Sequence, residues 1–300
     1  MRVNMRQNFQ TEFKAWSSDF IIEIINGSEN PDKIVREIKT LLSEYEQSFS
    51  RFLQGSQLTA LNNQDAITLT PLWETVLKEA EAISQTLSPA YFNPHVNLAA
   101  HGYNRSIEKL GKNAAIQTDK NALLPYPKGL IKKQNKLQLK SHSTLDFGSF
   151  LKGYVSQQIA DQYADACQGL IVNFGGDLTV RGQDEEKSEF EIGIFNPVTK
   201  EDHWVKLNQA SLCTSGIYKR RWLQDNQEKH HILNPHLNNQ SDSDYVSISF
   251  WGQNGALCDA MATAAFNAPV SEWNKWRSKQ ADINYLAIDK QGHVISSDFK

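Results

Sequence analysis

Asp19-Phe20-Ile21-Ile22-Glu23-Ile24-Ile25 is rich in β-branched and aromatic residues and stops at Asn26-Gly27, a turn pair, so it predicts a strand. From Pro31 to about Phe49 the apolar positions Ile34, Ile38, Leu41, Leu42 and Tyr45 recur at helical spacing, with Pro31 at a favourable first-turn position. Ser50 to Ser56 breaks that stripe into a loop. Thr70-Pro71 opens a second helix with Leu72, Val76, Leu77, Ala80 and Ile83 on one face, running to Leu87 and stopping before Pro89. Tyr91-Phe92-Asn93-Pro94 follows as a loop, and Asn113 to Lys140 is polar with short strands at Leu130-Ile131 and Leu137-Leu139.

A short strand is expected to end at Asp146, before a helix from about Phe150 to Ala166. Gly169 to Val172 reads as a buried strand that turns at Asn173-Phe174-Gly175-Gly176-Asp177 and leaves as Leu178-Thr179-Val180. Phe190–Phe195 and Val205–Leu207 alternate, Ile217 to Leu223 is strand-like, and Asp225-Asn226-Gln227 turns it into the run Lys229 to Pro235. Tyr245 to Trp251 is a further alternating strand. The alanine-rich helix Cys258–Phe266, a helical segment at Glu272–Trp276 and a strand at Tyr285–Asp289 complete the chain. Strands and helices mix without a βαβ rhythm, which predicts an α+β fold of antiparallel-rich sheets and packed helices. With no repeat and no linker of Pro, Gly and Ser, residues 1–300 read as a single domain.

Composition narrows the partners. Hydrophobic residues at 40% and charged ones at 22% are ordinary globular usage, and a net charge of −3 without a basic run argues against nucleic acid. The three cysteines, Cys167, Cys213 and Cys258, form neither a disulfide framework nor a zinc motif. No apolar run reaches membrane-spanning length, and Met1 to Phe20 has no signal-peptide core, so a cytoplasmic location without a membrane anchor is expected.

The nucleotide-binding loops G-x-G-x-x-G and G-x-x-x-x-G-K-[ST], the G-x-S-x-G elbow and H-E-x-x-H are all absent. What remains is local. Asp259 and Thr263 stand at i, i+4 of a helix and so share a face, offering two hard oxygen ligands that suit Mg²⁺; the plainer reading is that Asp259 caps the helix. Lys152 falls in the first turn of its helix, where a cation opposes the macrodipole by about 0.3–1 kcal/mol unless it faces an anion there. It reads equally well as a solvated surface lysine. Asn173–Asp177 is first of all a hairpin turn, and Thr214-Ser215-Gly216 is either another turn or a set of donors for phosphate. His231 on an extended run is either a structural histidine or a general base.

The order of these segments is more specific than any one of them. Leu145-Asp146-Phe147-Gly148-Ser149-Phe150-Leu151-Lys152-Gly153-Tyr154, Val172–Asp177, Thr214-Ser215-Gly216, His231-Ile232-Leu233-Asn234-Pro235 and Asp259-Ala260-Met261-Ala262-Thr263-Ala264 resemble, in that order, the motifs of the ApbE-like flavin transferases. Trp16-Ser17-Ser18 stands where that family has Met-Gly-Thr, Phe52 to Asn62 is similar to its serine- and leucine-bearing loop, and Phe92-Asn93-Pro94 to its Phe-Asp-Pro. The resemblance covers residues 13 to 290.

It implies a Mg²⁺-dependent FAD:protein FMN transferase, which cleaves the FAD pyrophosphate, releases AMP and joins FMN by a phosphodiester to a Thr or Ser of an acceptor flavoprotein. Some relatives mainly hydrolyse FAD to FMN and AMP, and a flavin-binding paralogue without turnover is the non-enzyme alternative. By motif position, Asp259, Thr263 and an oxygen of Ser149 are the implied metal ligands. Asp146, Lys152 and Leu233 match FAD-contacting positions, as do Trp16, Phe52, Tyr91, Phe92 and Asn93, and His231 matches the general base. The chain departs from the family at Trp16, at Asn93 and Asn234 in place of Asp, and at Pro235-His236-Leu237-Asn238 in place of Pro-x-Thr-Gly. These changes bear on flavin affinity and on the acceptor recognised.

Overall fold

The computed structural model describes residues 7–103, 105, 123–224, 227–280 and 282–297. Its first two strands, β1 (Gln7–Ala15) and β2 (Ser18–Gly27), form a hairpin whose turn residues Trp16 and Ser17 both have positive φ. Helix α1 (Pro31–Phe49) begins at Asn30, whose side chain accepts from the Asp32 amide. A six-residue helix, α2 (Gln57–Asn62), follows with Ser56 accepting from the Thr59 amide, so part of the expected loop is helical. Strand β3 (Ile67–Thr68) then leads to α3 (Pro71–Leu87), and β3 joins β4 (Leu130–Lys133) and β5 (Lys136–Leu139) in a small sheet.

Beyond α4 (Leu151–Tyr163) come β6 (Gly169–Phe174), β7 (Asp177–Gly182), the hairpin β8 (Phe190–Phe195) and β9 (Asp202–Leu207), and β10 (Ser211–Gly216). Two small hairpins follow: β11 (Arg221–Gln224) with β12 (Gln227–His230), then β13 (Leu233–Asn234) with β14 (Asn239–Gln240). The chain continues through β15 (Tyr245–Gly252), α5 (Gly255–Ala264), α6 (Val270–Lys279), β16 (Asn284–Asp289) and β17 (Val294–Ser296). The main sheet is antiparallel with order β1-β2-β6-β7-β10-β15-β16-β17.

Alternation along the strands assigns the two faces of this sheet. Phe20, Ile22, Leu170, Val172, Ile248 and Phe250 join the helices in one large core, while Val180, Leu178, Leu286 and Ile288 meet the β8–β9 hairpin on the other side. Helices α4 and α5 pack on each other and lie across β6, β7, β10 and β15. No helix among the described residues is long and apolar enough to cross a membrane.

Three readings of the sequence are corrected. No strand ends at Asp146: the Leu145 amide donates to Asn62 Oδ1 and the Asp146 amide to the Pro94 carbonyl, so this backbone is bonded to loops. The run from Ile217 is bent as far as Arg220 and becomes a strand only at Arg221; the extended run from Lys229 breaks after His230. The cap of α5 is Asn254, whose side chain accepts from the Leu257 amide, and Asp259 lies inside the helix. The turn read at Asp225-Asn226 lies outside the described residues, as do residues 113–122 of the polar stretch and residues 1–6.

Two glycines allow α4 and α5 to touch. A Cβ at Gly153 would stand 2.3 Å from the Gly255 carbonyl oxygen and 2.7 Å from Asp259 Cβ, and one at Gly255 would be 2.6 Å from the Gly153 oxygen. Gly153→Ala is therefore expected to destabilise the fold by about 1–3 kcal/mol, the usual cost of overpacking, read as a lower urea midpoint. An unchanged midpoint would contradict this close approach.

Candidate functional site

The α4–α5 contact sets the first half of the site. Helix α4 has Phe150 at its N-cap and no side-chain cap, which leaves its early amides in search of acceptors. One of them, the Gly153 N–H, donates to Asp259 Oδ2 at 3.0 Å. Asp259 is only 3% exposed, and burial pushes its carboxyl above the ordinary range, opposed by the Lys152 charge and the Gly153 amide. One turn along α5, the Thr263 hydroxyl meets the Ser215 hydroxyl at 2.8 Å. Ser149 sits in the turn just before Phe150. The side chains gathered here are one carboxylate and hydroxyls, all hard oxygen donors; among the described residues no group of three His, Cys, Asp or Glu is arranged around a metal position.

Of the two readings of Lys152, the solvated surface lysine is not what the structure has: it faces an anion, and that anion is a protein carboxylate. Its ammonium is ion-paired with the buried Asp177 at the start of β7. The other Asp177 oxygen accepts from the Thr214 amide of β10 at 3.3 Å. The Asn173–Gly176 turn, held by Gly176 N–H donating to Asn173 Oδ1, thus delivers Asp177 to the site. Burial pulls Lys152 down to about 8, against the raising effect of Asp259.

The second half lies on the loops around Arg51. Its guanidinium pairs with Asp146 at 2.9 Å, donates to the Tyr103 carbonyl at 2.5 Å, and lies 4.0 Å from the Phe52 ring centre and 4.3 Å from that of Tyr103. Asp146 Oδ1 also accepts from the Gly148 amide, so this carboxylate ties the α1–α2 loop to the entry of α4. Tyr103 is edge-on to His231 at 6.1 Å. Burial drives the His231 imidazole well below its ordinary pKa, assisted by the charges of Arg220, His230, Lys152 and Arg51. Both the Arg51 loop and Lys152 thus contribute positive charge to the surroundings of His231.

Other residues singled out from the sequence lie apart from these contacts. The Trp16 indole donates to the Leu42 carbonyl at 3.0 Å and packs against Tyr45 and Phe174. Tyr91 turns to Trp276 of α6, whereas Phe92 packs on Phe150 beside the start of α4. Leu233 is buried, and its carbonyl accepts from Asn267. The two Asp-to-Asn departures keep the acceptor that shapes each loop: Asn93 Oδ1 receives the His95 amide, and Asn234 Oδ1 receives those of His236 and Leu237. Asn93 adds a donor that a carboxylate lacks, to the Leu124 carbonyl at 3.0 Å. Sequence reasoning did not find Arg51, Tyr103 or Arg220; Asp177 and Ser215 lay in segments it quoted, the first read as a hairpin turn and the second as a turn or a set of phosphate donors. For Asp177 the signal was there, since a first-turn lysine needs a counter-charge and the nearest motif ends in one.

The sequence and the fold have counterparts elsewhere. The model of the ApbE family matches residues 11–287. The FAD:protein FMN transferase of Treponema pallidum is 27% identical over 255 residues, covering 77% of this chain and 70% of its own. That of Haemophilus influenzae is 23% identical over 265 residues, covering 78% and 72%. In structure, an ApbE protein of Thermotoga maritima superposes with a TM-score of 0.82 at 20% identity, covering 97% of each chain. The flavinyl transferase ApbE of Pseudomonas stutzeri gives 0.80 at 15% identity, over 99% of this chain and 97% of that one. An antiparallel sheet carrying paired helices, and a family match that runs nearly from end to end, make this chain a member of the ApbE family.

Proposed function

We propose that this chain is a Mg²⁺-dependent FAD:protein FMN transferase that releases AMP and esterifies a Thr or Ser hydroxyl of an acceptor flavoprotein. The observation that carries the reading is the meeting of Asp259 with the side-chain-uncapped start of α4, under the charges of Lys152 and Arg220, with Thr263 one turn along α5 against Ser215. A helix N-terminus with adjacent cations favours phosphate, and a buried carboxylate whose charge is under-compensated favours a divalent cation. Asp259, Thr263 and Ser149 would hold the ion, which when bound would neutralise charge on the FAD pyrophosphate.

The remaining work falls to side chains. Lys152 and Arg220 fix and screen the phosphates, while the Asp177 pair keeps the Lys152 ammonium aimed. The acceptor oxygen forms a bond to the FMN phosphorus as the P–O bond to AMP breaks. His231, neutral through burial, takes the hydroxyl proton.

The test is to incubate the purified protein with FAD and Mg²⁺, with and without acceptor proteins, and follow AMP release and in-gel flavin fluorescence. A fluorescent acceptor band supports transfer; AMP and FMN without a band indicate hydrolysis; retained FAD without AMP indicates a binding protein. A pH profile adds a check. Because His231 is held well below the ordinary histidine pKa, kcat/KM is expected to stay level through neutral pH and to fall only well below pH 6.5, as the imidazole gains its proton. An acid limb centred at the ordinary histidine value would contradict the buried environment of the base.

A further inference from the structure

We propose that Trp222 is a substrate-holding residue, its indole N–H donating to an acceptor atom on the edge of one of the two heteroaromatic rings of FAD. The proposal rests on the FAD reading given above. Trp222 lies on β11, is 8% exposed, and its Nε1 is buried without an acceptor in the protein. Three other tryptophans give this donor a partner within the protein: Trp16 with the Leu42 carbonyl, Trp73 with Gln57 Oε1 at 2.7 Å and Trp273 with the Ala268 carbonyl at 3.0 Å. Among the described residues the Trp222 N–H is the one indole donor both sealed and unmet. A buried indole N–H normally finds a partner, so an unmet one on the ring that packs against Tyr103, itself edge-on to the proposed base His231, marks a place for a ligand atom.

The surroundings say what kind of atom. The Trp222 ring stacks on Tyr103 at 5.4 Å with planes 12° apart, and Tyr103 is edge-on to both Phe52, at 5.6 Å, and His231. Phe52 is 39% exposed and carries the Arg51 guanidinium on its face. The Arg51 charge is committed to Asp146 and the Tyr103 carbonyl, and the phosphate-suited groups stand apart, at the start of α4. Trp222 and Arg51 already lie on the Tyr103 ring, so what this region offers a ligand is the unmet indole N–H and the partly exposed Phe52 ring, which suits a planar ring that accepts at its edge. Isoalloxazine has two carbonyl oxygens and bare ring nitrogens, and adenine has bare ring nitrogens, so both ends of FAD carry the required chemistry. His231 Nδ1 is likewise buried and unpartnered across the Tyr103 ring, which places the ring site next to the base.

Trp222→Phe keeps an aromatic ring on Tyr103 and removes only the donor. Its FAD dissociation constant, measured by calorimetry with Mg²⁺ present, is expected to rise about tenfold, the usual cost of one hydrogen bond. Riboflavin and ADP, titrated separately, identify the ring: the loss appears with riboflavin for isoalloxazine or with ADP for adenine. In the wild-type protein, the assigned Trp222 indole N–H resonance is expected to move downfield on addition of FAD, a readout independent of how the variant folds. FAD affinity within twofold of wild type, an equal loss on both fragments, or an unmoved resonance with FAD bound would each overturn the proposal. A wild-type protein that binds no FAD at all would instead overturn the transferase reading, and this assignment with it.

Discussion

Asp259→Asn is expected to lower AMP release and FMN transfer by about 10³-fold or more while leaving the melting temperature of the metal-free protein unchanged or raised. Asparagine preserves the acceptor for the Gly153 amide and removes the charge. If Asp259 holds the ion that screens the pyrophosphate, its loss removes about 4 kcal/mol or more of transition-state stabilisation, which sets the expected fold-change. The stability expectation has the opposite sign because burial raises this carboxyl's pKa in the folded state. A carboxylate so raised favours folding most at low pH and loses that contribution as pH rises through the folded-state value, so at neutral pH its charge costs stability. Mg²⁺ should therefore raise the wild-type melting temperature and leave that of Asp259→Asn where it was. Full activity in the variant would sink the metal assignment, and a large fall in melting temperature would mean that Asp259 is structural.

The alternation of Phe20, Ile22 and Ile24 and the helical stripe of α1 and α3 were readable because each element buries a single face. Periodicity also found α5, although alanine-rich helices buried all round carry no polar face to orient them. It misplaced the helix boundary because Asp259, a favoured capping residue type, is spent on a neighbouring helix and Asn254 does the capping. The stretch around Asp146 shows a different limit. Leu145-Asp146-Phe147 looks like a strand, yet its backbone partners are Asn62 and Pro94, long-range contacts on which local pattern is silent.

At the site, residues linked along one helix, such as Asp259 and Thr263, were legible as a pair. Pairs made across the fold were not. Arg51 with Asp146, Lys152 with Asp177 and Ser215 with Thr263 join residues 95, 25 and 48 positions apart, and only tertiary structure brings them together. The two asparagines that stand for Asp had raised doubt about retained chemistry. Asn93 and Asn234 bond backbone amides of their own loops through Oδ1, an acceptor role that aspartate and asparagine share.

His231→Ala carries the second large effect. FMN transfer to the acceptor is expected to fall by about 10²–10⁴-fold, the range that a positioned general base contributes, with FAD affinity changed by about threefold or less. On the proposed reading the two readouts separate, because Lys152 and Arg220, the groups assigned to the phosphates, remain. The positive charge that Arg220, Lys152 and Arg51 place around residue 231 is kept in the variant. That same charge explains why histidine suits the position. A carboxylate there would offset the positive charge that the proposed reading assigns to the pyrophosphate. A lysine would add one more repelled charge, and it would have to shed its proton before serving as a base. An imidazole held neutral by burial avoids both outcomes and still accepts a proton when the incoming hydroxyl is aligned. His231→Gln, neutral and similar in reach but unable to take the proton, should match the alanine variant in transfer and the wild type in FAD binding. Transfer by His231→Gln at the wild-type rate would remove proton acceptance from the role of this residue.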